Sequence, residues 1–204
     1  LVDPFLTGNP VASVKADDVA CDYILVSHAH GDHLGDAPSI AARTGAKIVS
    51  TPEVISVCES QTLAEIASCP MNIGGSLNLP FGKVRMTFAQ HSAGVAGGIA
   101  CGFVVYIGGR TVYYAGDTAL FSDMQLIGRK DSIDYAVLPI GDNYTMGLED
   151  AAMAAQWVNA GHVIPVHYNT WPVIKQEARH YKDVTEAMTR ARVHIMAPGD
   201  TMEL

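Results

Sequence analysis

The sequence predicts an α/β fold in which helices lie outside β-sheets. Three observations carry this expectation. Asp22-Tyr-Ile-Leu-Val-Ser27 is a short, almost continuously apolar run, the pattern of a strand buried on both faces. Helix and strand signals alternate after it, as in strand-helix-strand units. Gly108-Gly109 sits between two apolar runs, the signature of a two-residue hairpin.

The elements follow in order. Leu1-Val2-Asp3-Pro4 reads as the end of a strand, and Ser27 leads from the apolar run into a histidine-rich loop. Asp36 is placed to cap a helix over 37–44, with Pro38 in the first turn and Gly45 as terminator. Lys47–Ser50 is the next strand. Thr51-Pro52 starts another helix by the same logic, expected to run with interruptions to about Ala67 before Gly74-Gly75. Val84, Met86 and Phe88 alternate with polar residues, which predicts a half-buried strand ending at Gln90-His91. Residues 103–107 and 111–114 form the hairpin arms, and the second arm runs into Gly116-Asp117-Thr118. A strand over Ile133–Ile140, a polar loop, a helix over 148–160 closed by Gly161, and a strand over 163–166 ending at His167 come next. A charged helix over 174–190 and a strand over 192–196 close the chain.

The 204 residues fit one domain, 1–204, without linker, low-complexity tract or repeat. A charged fraction of 17% with 49% hydrophobic residues argues for a buried core and against disorder. The net charge of −8 disfavours wrapping a nucleic-acid backbone or an anionic membrane. Cys21, Cys58, Cys69 and Cys101 form no CxxC pair and read as reduced thiols, which points to a cytoplasmic protein. No stretch reaches the roughly 18 apolar residues of a membrane helix.

Chemistry concentrates in Ser27-His28-Ala-His30-Gly-Asp32-His33, which places three imidazoles and a carboxylate within six residues just after a buried strand. Neutral imidazoles suit zinc, iron or manganese; the i, i+2 spacing aims His28 and His30 to one side, and a turn at Gly31 redirects Asp32 and His33. One loop can thus serve two neighbouring metals. Further ligand-type side chains stand at the carboxyl ends of three other predicted strands: His91 before Ser92, Asp117 in Gly-Asp-Thr, and His167. Each alone reads as structural; together with the histidine cluster they read as a metal centre.

These motifs, in this order, resemble the metal-binding motifs of the metallo-β-lactamase superfamily. Asp3-Pro-Phe5, Asn143-Tyr-Thr-Met146 and Pro165-Val-His-Tyr-Asn-Thr170 narrow the resemblance to bacterial metal-dependent hydrolases related to ascorbate-6-phosphate lactonase. It spans nearly the whole chain. It implies a four-layer αββα sandwich with the site along one edge of the two sheets, a first strand upstream of Leu1, and a homo-oligomer. It also implies that His28, His30 and His91 hold one metal and Asp32, His33 and His167 the other, with Asp117 bridging. Four protein contacts per metal then leave room for a water or hydroxide. An oxygen-reducing di-iron branch of the superfamily carries HxExD, whereas this chain keeps histidine, which favours zinc or manganese over iron.

The expected activity is hydrolysis of a small-molecule ester, lactone or phosphoester by a metal-bound hydroxide, with two divalent ions as cofactors: zinc first, manganese or iron as alternatives. Asp117 serves as template, and Asp32 is a candidate to orient the water or relay its proton. The alternatives are a phosphodiesterase or nuclease of the same fold, disfavoured by the acidic charge, and a metal-binding protein without turnover. Asp142, Asn143, Tyr144 and Thr145 either contact substrate or cap the next helix, and Tyr168, Asn169 and Thr170 either support the His167 ligand or make an ordinary turn. Lys175 and Arg179 are the nearest cations after His167, candidates to meet an anionic substrate. His162, His180 and His194 read as structural or solvent-facing.

Overall fold

The structure, a computed structural model, describes residues 1–203. Two sheets lie face to face with helices on both outer sides. The smaller is parallel, in the order β1 (Tyr23–Leu25), β2 (Lys47–Ser50), β3 (Ser68–Pro70). Leu1–Asp3 runs along its β1 edge, with Val2 bridged to Leu25. The larger has seven strands: β4 (Ser76–Leu79), β5 (Gly82–Phe88), β6 (Cys101–Ile107), β7 (Arg110–Tyr114), β8 (Tyr135–Pro139), β9 (His162–Val166) and β10 (Arg192–Val193), neighbours in that sequence. The helices are α1 (Gly31–Leu34), α2 (Ala37–Thr44), α3 (Pro52–Ser60), α4 (Met124–Lys130), α5 (Leu148–Val158) and α6 (Ala178–Met188).

Three apolar clusters define the layers. Leu25 and Val49 of the small sheet meet Val84, Met86, Cys101 and Phe103 of the large one. On the outer side of the small sheet, Ile24 and Ile48 pack on Ile40 of α2 and Val54 of α3. On the outer side of the large sheet, Tyr113, Ala136 and Val163 pack on α4, on α5 through Ala151, Ala152 and Ala155, and on α6 through Tyr181. Each fully buried aliphatic or aromatic side chain contributes about 1.5–3 kcal/mol relative to exposure. This is the αββα arrangement expected.

Strand direction places the site. β5 is antiparallel to β6 and β6 to β7, so β5 runs with β7, and β7, β8 and β9 are mutually parallel. The segments after β5, β7, β8 and β9 therefore all emerge at one edge.

Several expectations need correction. The second predicted helix stops at Ser60; Leu63 is fully exposed, so nothing apolar holds the chain helical toward Ala67, and Ser68–Pro70 instead pairs with β2. Strand β5 is not half-buried: Val84 and Met86 face the small sheet, while Arg85 and Thr87 are buried beneath the helices. Arg85 is tolerated there because it pairs with the Asp131 carboxylate, which also accepts the Tyr106 hydroxyl. Phe88 is exposed. Asp36 stands at the N-cap position of α2 but makes no side-chain cap bond; its carboxylate accepts the backbone N–H groups of Leu6 (2.9 Å) and Thr7 (2.8 Å) instead. Asn159, left-handed at φ 52°, ends α5 before Gly161 is reached. The last helix begins only at Ala178, after a 3-10 turn at Pro172–Ile174, and the last strand is two residues long. Short strands β3 and β4 and helix α4 are additions. The hairpin forms as expected, with Gly108 and Gly109 at φ 58° and 78°.

Candidate metal centre

All seven residues singled out as ligands converge at this edge. His28 and His30 leave β1 in an extended loop, and α1 turns Asp32 and His33 toward the same point. His91 follows β5, Asp117 follows β7, and His167 follows β9. The loops are tied together by backbone: Ala29 N–H donates to Ala93 O (2.8 Å), and Ala119 N–H to Gln90 O (3.1 Å). Gly94, at φ 69°, lets the loop after β5 lie against the histidine loop, since a Cβ there would stand 2.8 Å from His30 Cδ2.

The ligand atoms fall into three overlapping groups, His28/His30/His91, His28/His33/Asp117 and Asp32/His33/His167, with the atoms of each within 4.8 Å of one another. His28 Nε2 is 2.9 Å from His30 Nδ1, which is 3.3 Å from His91 Nε2. Asp117 Oδ2 lies 3.2 Å from His33 Nε2, 3.3 Å from His167 Nε2 and 3.7 Å from His91 Nε2. Asp32 Oδ2 is 3.3 Å from His167 Nε2. Tetrahedral ligands at about 2.05 Å from zinc stand about 3.3 Å apart, so this spacing fits metal-sized gaps.

Outer hydrogen bonds set the ring tautomers. Asp3, with a side chain only 3% exposed, accepts Ser27 N–H at Oδ1 (2.7 Å). At Oδ2 it accepts the Ser27 hydroxyl (2.6 Å), the Tyr114 hydroxyl (2.8 Å) and His33 Nδ1–H (2.8 Å). His33 therefore presents the lone pair of Nε2 inward. Ser27 Oγ, its proton given to Asp3, accepts from His28 Nδ1 (2.9 Å), which turns the His28 Nε2 lone pair inward as well. Ser92 Oγ, 3.3 Å from His30 Nε2, favours the Nδ1 lone pair of that ring toward the centre.

The buried polar atoms His33 Nε2 and Asp117 Oδ1 have no hydrogen-bond partner. The first, although near Asp117 Oδ2, makes no bond of acceptable angle. Such orphans are costly unless a further group satisfies them, and imidazole and carboxylate are the donors that divalent ions take. The residues present fit divalent metal ions.

Electrostatics agree. Burial, aided by the neighbouring His33, pushes His28 down to about 2, so the ring is neutral. Burial also lowers His91. Burial alone would raise Asp32, but the hydrogen bond from His167 and the charge of His33 hold it below the ordinary carboxylate range. Burial would likewise lower His33, but the Asp3 and Asp117 carboxylates reverse this and raise it, so without a cation Nε2 carries a second proton, which a bound cation would displace to reach the lone pair.

Backbone strain gathers here. Among the described residues six non-glycine ones have positive φ; Asn159 ends a helix, and the other five, Asp3, Asp142, Asn143, His167 and Asn169, carry or border the site. The left-handed turn at His167 (φ 56°) swings its ring off the end of β9 toward Asp117.

An open cleft of about 850 Å³ lies over the ligands, with Phe5, Tyr144, Trp171 and Val173 among its walls. A smaller cavity of about 210 Å³ adjoins it. Of the polar loop after β8, Tyr144 reaches the cleft and the cap position of α5 falls to Gly147. Thr170 lines the smaller cavity, whereas Asn169 makes a turn bond to Gln176 N–H (2.8 Å) and Tyr168 packs on the helix-side core. Lys175 is exposed and Arg179 lines a different cavity, so neither reaches the ligands. His162 and His194 bond each other (Nδ1···Nε2, 2.9 Å) at the opposite end of β9, and His180 is exposed on α6. Asp3, Phe5, Tyr114 and Trp171 were not foreseen as site residues; Asp3-Pro-Phe5 stood out only as a point of family likeness.

Comparison with known proteins agrees with this geometry. A sequence model of the beta-lactamase superfamily domain matches residues 1–168. A UPF0173 metal-dependent hydrolase of Pelotomaculum thermopropionicum is 49% identical, the match spanning 100% of this chain and 92% of the relative. One from Bacillus cereus is 43% identical, spanning 100% and 91%. Among solved structures, the metallo hydrolase Igni18 of Ignicoccus hospitalis superposes with a TM-score of 0.90 at 35% identity, over 98% of this chain and 88% of its own. A possible metal-dependent hydrolase of Veillonella parvula, 19% identical with a TM-score of 0.81 over 100% and 92%, shares the fold. The chain therefore belongs to the beta-lactamase superfamily and, within it, to the UPF0173 metal-dependent hydrolases.

Proposed function

We propose that this hydrolase is binuclear, with His28, His30 and His91 holding one divalent ion, Asp32, His33 and His167 the other, and Asp117 shared between them. The ions are zinc first, with manganese next, and the substrate is a small-molecule ester, lactone or phosphoester. Bound divalent ions lower the pKa of a water to near neutrality and polarise the scissile group. The chain's own residues prepare for this. Asp3, through Ser27 and directly, orients His28 and His33 so that their lone pairs face inward. Asp117, 4% exposed, is the template at the junction of the groups. Asp32 is the more accessible carboxylate, borders both cavities and is kept ionised by His167, which suits it to accept a hydrogen bond from the attacking water and orient it.

The observation that carries the reading is the convergence of seven ligand-type side chains in three overlapping groups, each with its ligand atoms within 4.8 Å of one another, beneath an open cleft. A phosphodiesterase or nuclease acting on a polymer is less well supported, because neither Lys nor Arg lines the cleft among the described residues. No helix of the described residues is long and apolar enough to cross a membrane, and the four cysteines are free, which agrees with a cytoplasmic protein. The test is hydrolysis of esters, lactones and phosphoesters by metal-loaded wild type and Asp117→Ala. Turnover lost together with both metals in the variant supports the assignment; full metal content in that variant refutes the shared role of Asp117.

A further inference from the structure

The cleft has a charged floor and an uncharged wall. Asp32, Asp117 and the surrounding imidazoles form the floor, while Phe5, Trp171, Val173 and Tyr144 rise from three separate segments. Phe5 and Trp171 support each other, with ring centroids 5.9 Å apart at 33°. Val173 and Tyr144 leave 50% and 57% of their surfaces exposed, although both border the cleft. The segments bearing Tyr144 and Trp171 follow left-handed residues, Asp142 and Asn143 in one case and His167 and Asn169 in the other. Strained backbone at these points holds the wall in place over the ligands.

Charge defines what the wall accepts. Neither Lys nor Arg lines the cleft or the adjoining cavity among the described residues. Sites that recognise a phosphate or carboxylate remote from the reacting bond supply such cations, because an anion taken from water without a counter-charge is penalised. Here an anionic substituent remote from the reacting bond would instead meet apolar rings and no counter-charge.

We propose that Phe5, Trp171, Val173 and Tyr144 form a specificity wall that selects, beside the reacting bond, an uncharged aromatic or similarly sized apolar group, and that the wall discriminates against substrates carrying a phosphate or carboxylate remote from that bond. The proposal rests on the hydrolase reading for its reacting bond, but recognition is separable from turnover.

The chain has two tryptophans, so Trp157→Phe on α5 leaves Trp171 as the sole tryptophan reporter under selective excitation at the red edge. Phenylacetamide and its 4-sulfonate are titrated into metal-free and metal-loaded protein, the sulfonate being remote from the amide. The expected result is a change in Trp171 emission with phenylacetamide in both forms and at least tenfold weaker binding of the sulfonate. In parallel, kcat/KM for phenyl acetate is expected to exceed that for 4-sulfophenyl acetate at least tenfold. Val173→Lys, at a half-exposed position that tolerates a charge, should reduce or invert both ratios. Binding selectivity without turnover of either ester upholds the wall and overturns the hydrolase reading. Turnover with equal or reversed preference in the wild type, or ratios unmoved by Val173→Lys, overturns the wall and leaves the hydrolase reading standing.

Discussion

Replacing Asp3 by Asn tests how the ligand rings are oriented. The carboxylate accepts four hydrogen bonds, three of them at Oδ2, from Ser27, Tyr114 and His33. In Asp3→Asn an amide NH₂ stands where either Oδ1 or Oδ2 was. Placed at Oδ2, it donates toward His33 Nδ1, which must then accept, so the ring proton moves to Nε2 and blocks the lone pair facing Asp117. Placed at Oδ1, it confronts the Ser27 N–H at 2.7 Å. Loss of such an orienting partner costs about 10–100-fold in metal affinity, or about 1.4–2.7 kcal/mol. Asp3→Ala should also destabilise the metal-free fold by about 3–5 kcal/mol, because the backbone N–H of Ser27 and the Tyr114 hydroxyl lose a buried ionic acceptor. The assays are competition for zinc against a chelator of known affinity and urea unfolding of the metal-free protein. Metal affinity of Asp3→Asn within twofold of wild type would refute the orienting role.

Other outcomes follow from the same structure. Burial alone would raise the Asp36 carboxyl, but the bonds from Thr7 and Leu6 together outweigh it and hold the group below its ordinary value. Because the folded value is the lower one, its contribution is complete above the unfolded carboxylate range near pH 4 and is lost as pH falls through the folded value. Asp36→Ala should therefore be destabilised by about 1–3 kcal/mol at pH 7, with the gap to wild type closing in acid, as read by urea midpoints across pH; a pH-independent gap would contradict this. Burial pushes the Cys58 thiol up to about 12 and raises Cys101 well above its ordinary range, so neither should react with a thiol reagent at pH 8 in folded protein. Rapid labelling of all four cysteines before unfolding would contradict the core. Gly94→Ala should weaken zinc binding and lower stability by about 1–3 kcal/mol, since its Cβ would stand 2.8 Å from Ala29 C and the backbone is left-handed; wild-type zinc affinity would count against the loop packing.

The ligands were legible because each is either part of one dense motif or sits at the end of a strand whose own pattern is clear. His28 to His33 announces itself by density, and His167 by following Val163–Val166. Asp3 did not, because its bonds reach His33 across 30 residues and Tyr114 across 111, and Leu1-Val2-Asp3-Pro4 by itself reads only as the end of a strand. Phe5 and Trp171 are joined only by the folded chain. Strands β3 and β4, three and four residues long, are too short for a period to emerge, and α1 has no apolar face beyond His33 and Leu34. Arg85 misled the reading of β5, since a charge in an alternating strand signals solvent unless a partner such as Asp131, far along the chain, is known.

The account stands most directly on metal stoichiometry. Elemental analysis of protein purified without chelator, then supplemented with zinc or manganese at neutral pH, should give about two ions per chain. Less than one ion per chain after supplementation would mean that the seven side chains, though gathered at one edge, do not form the binuclear centre proposed.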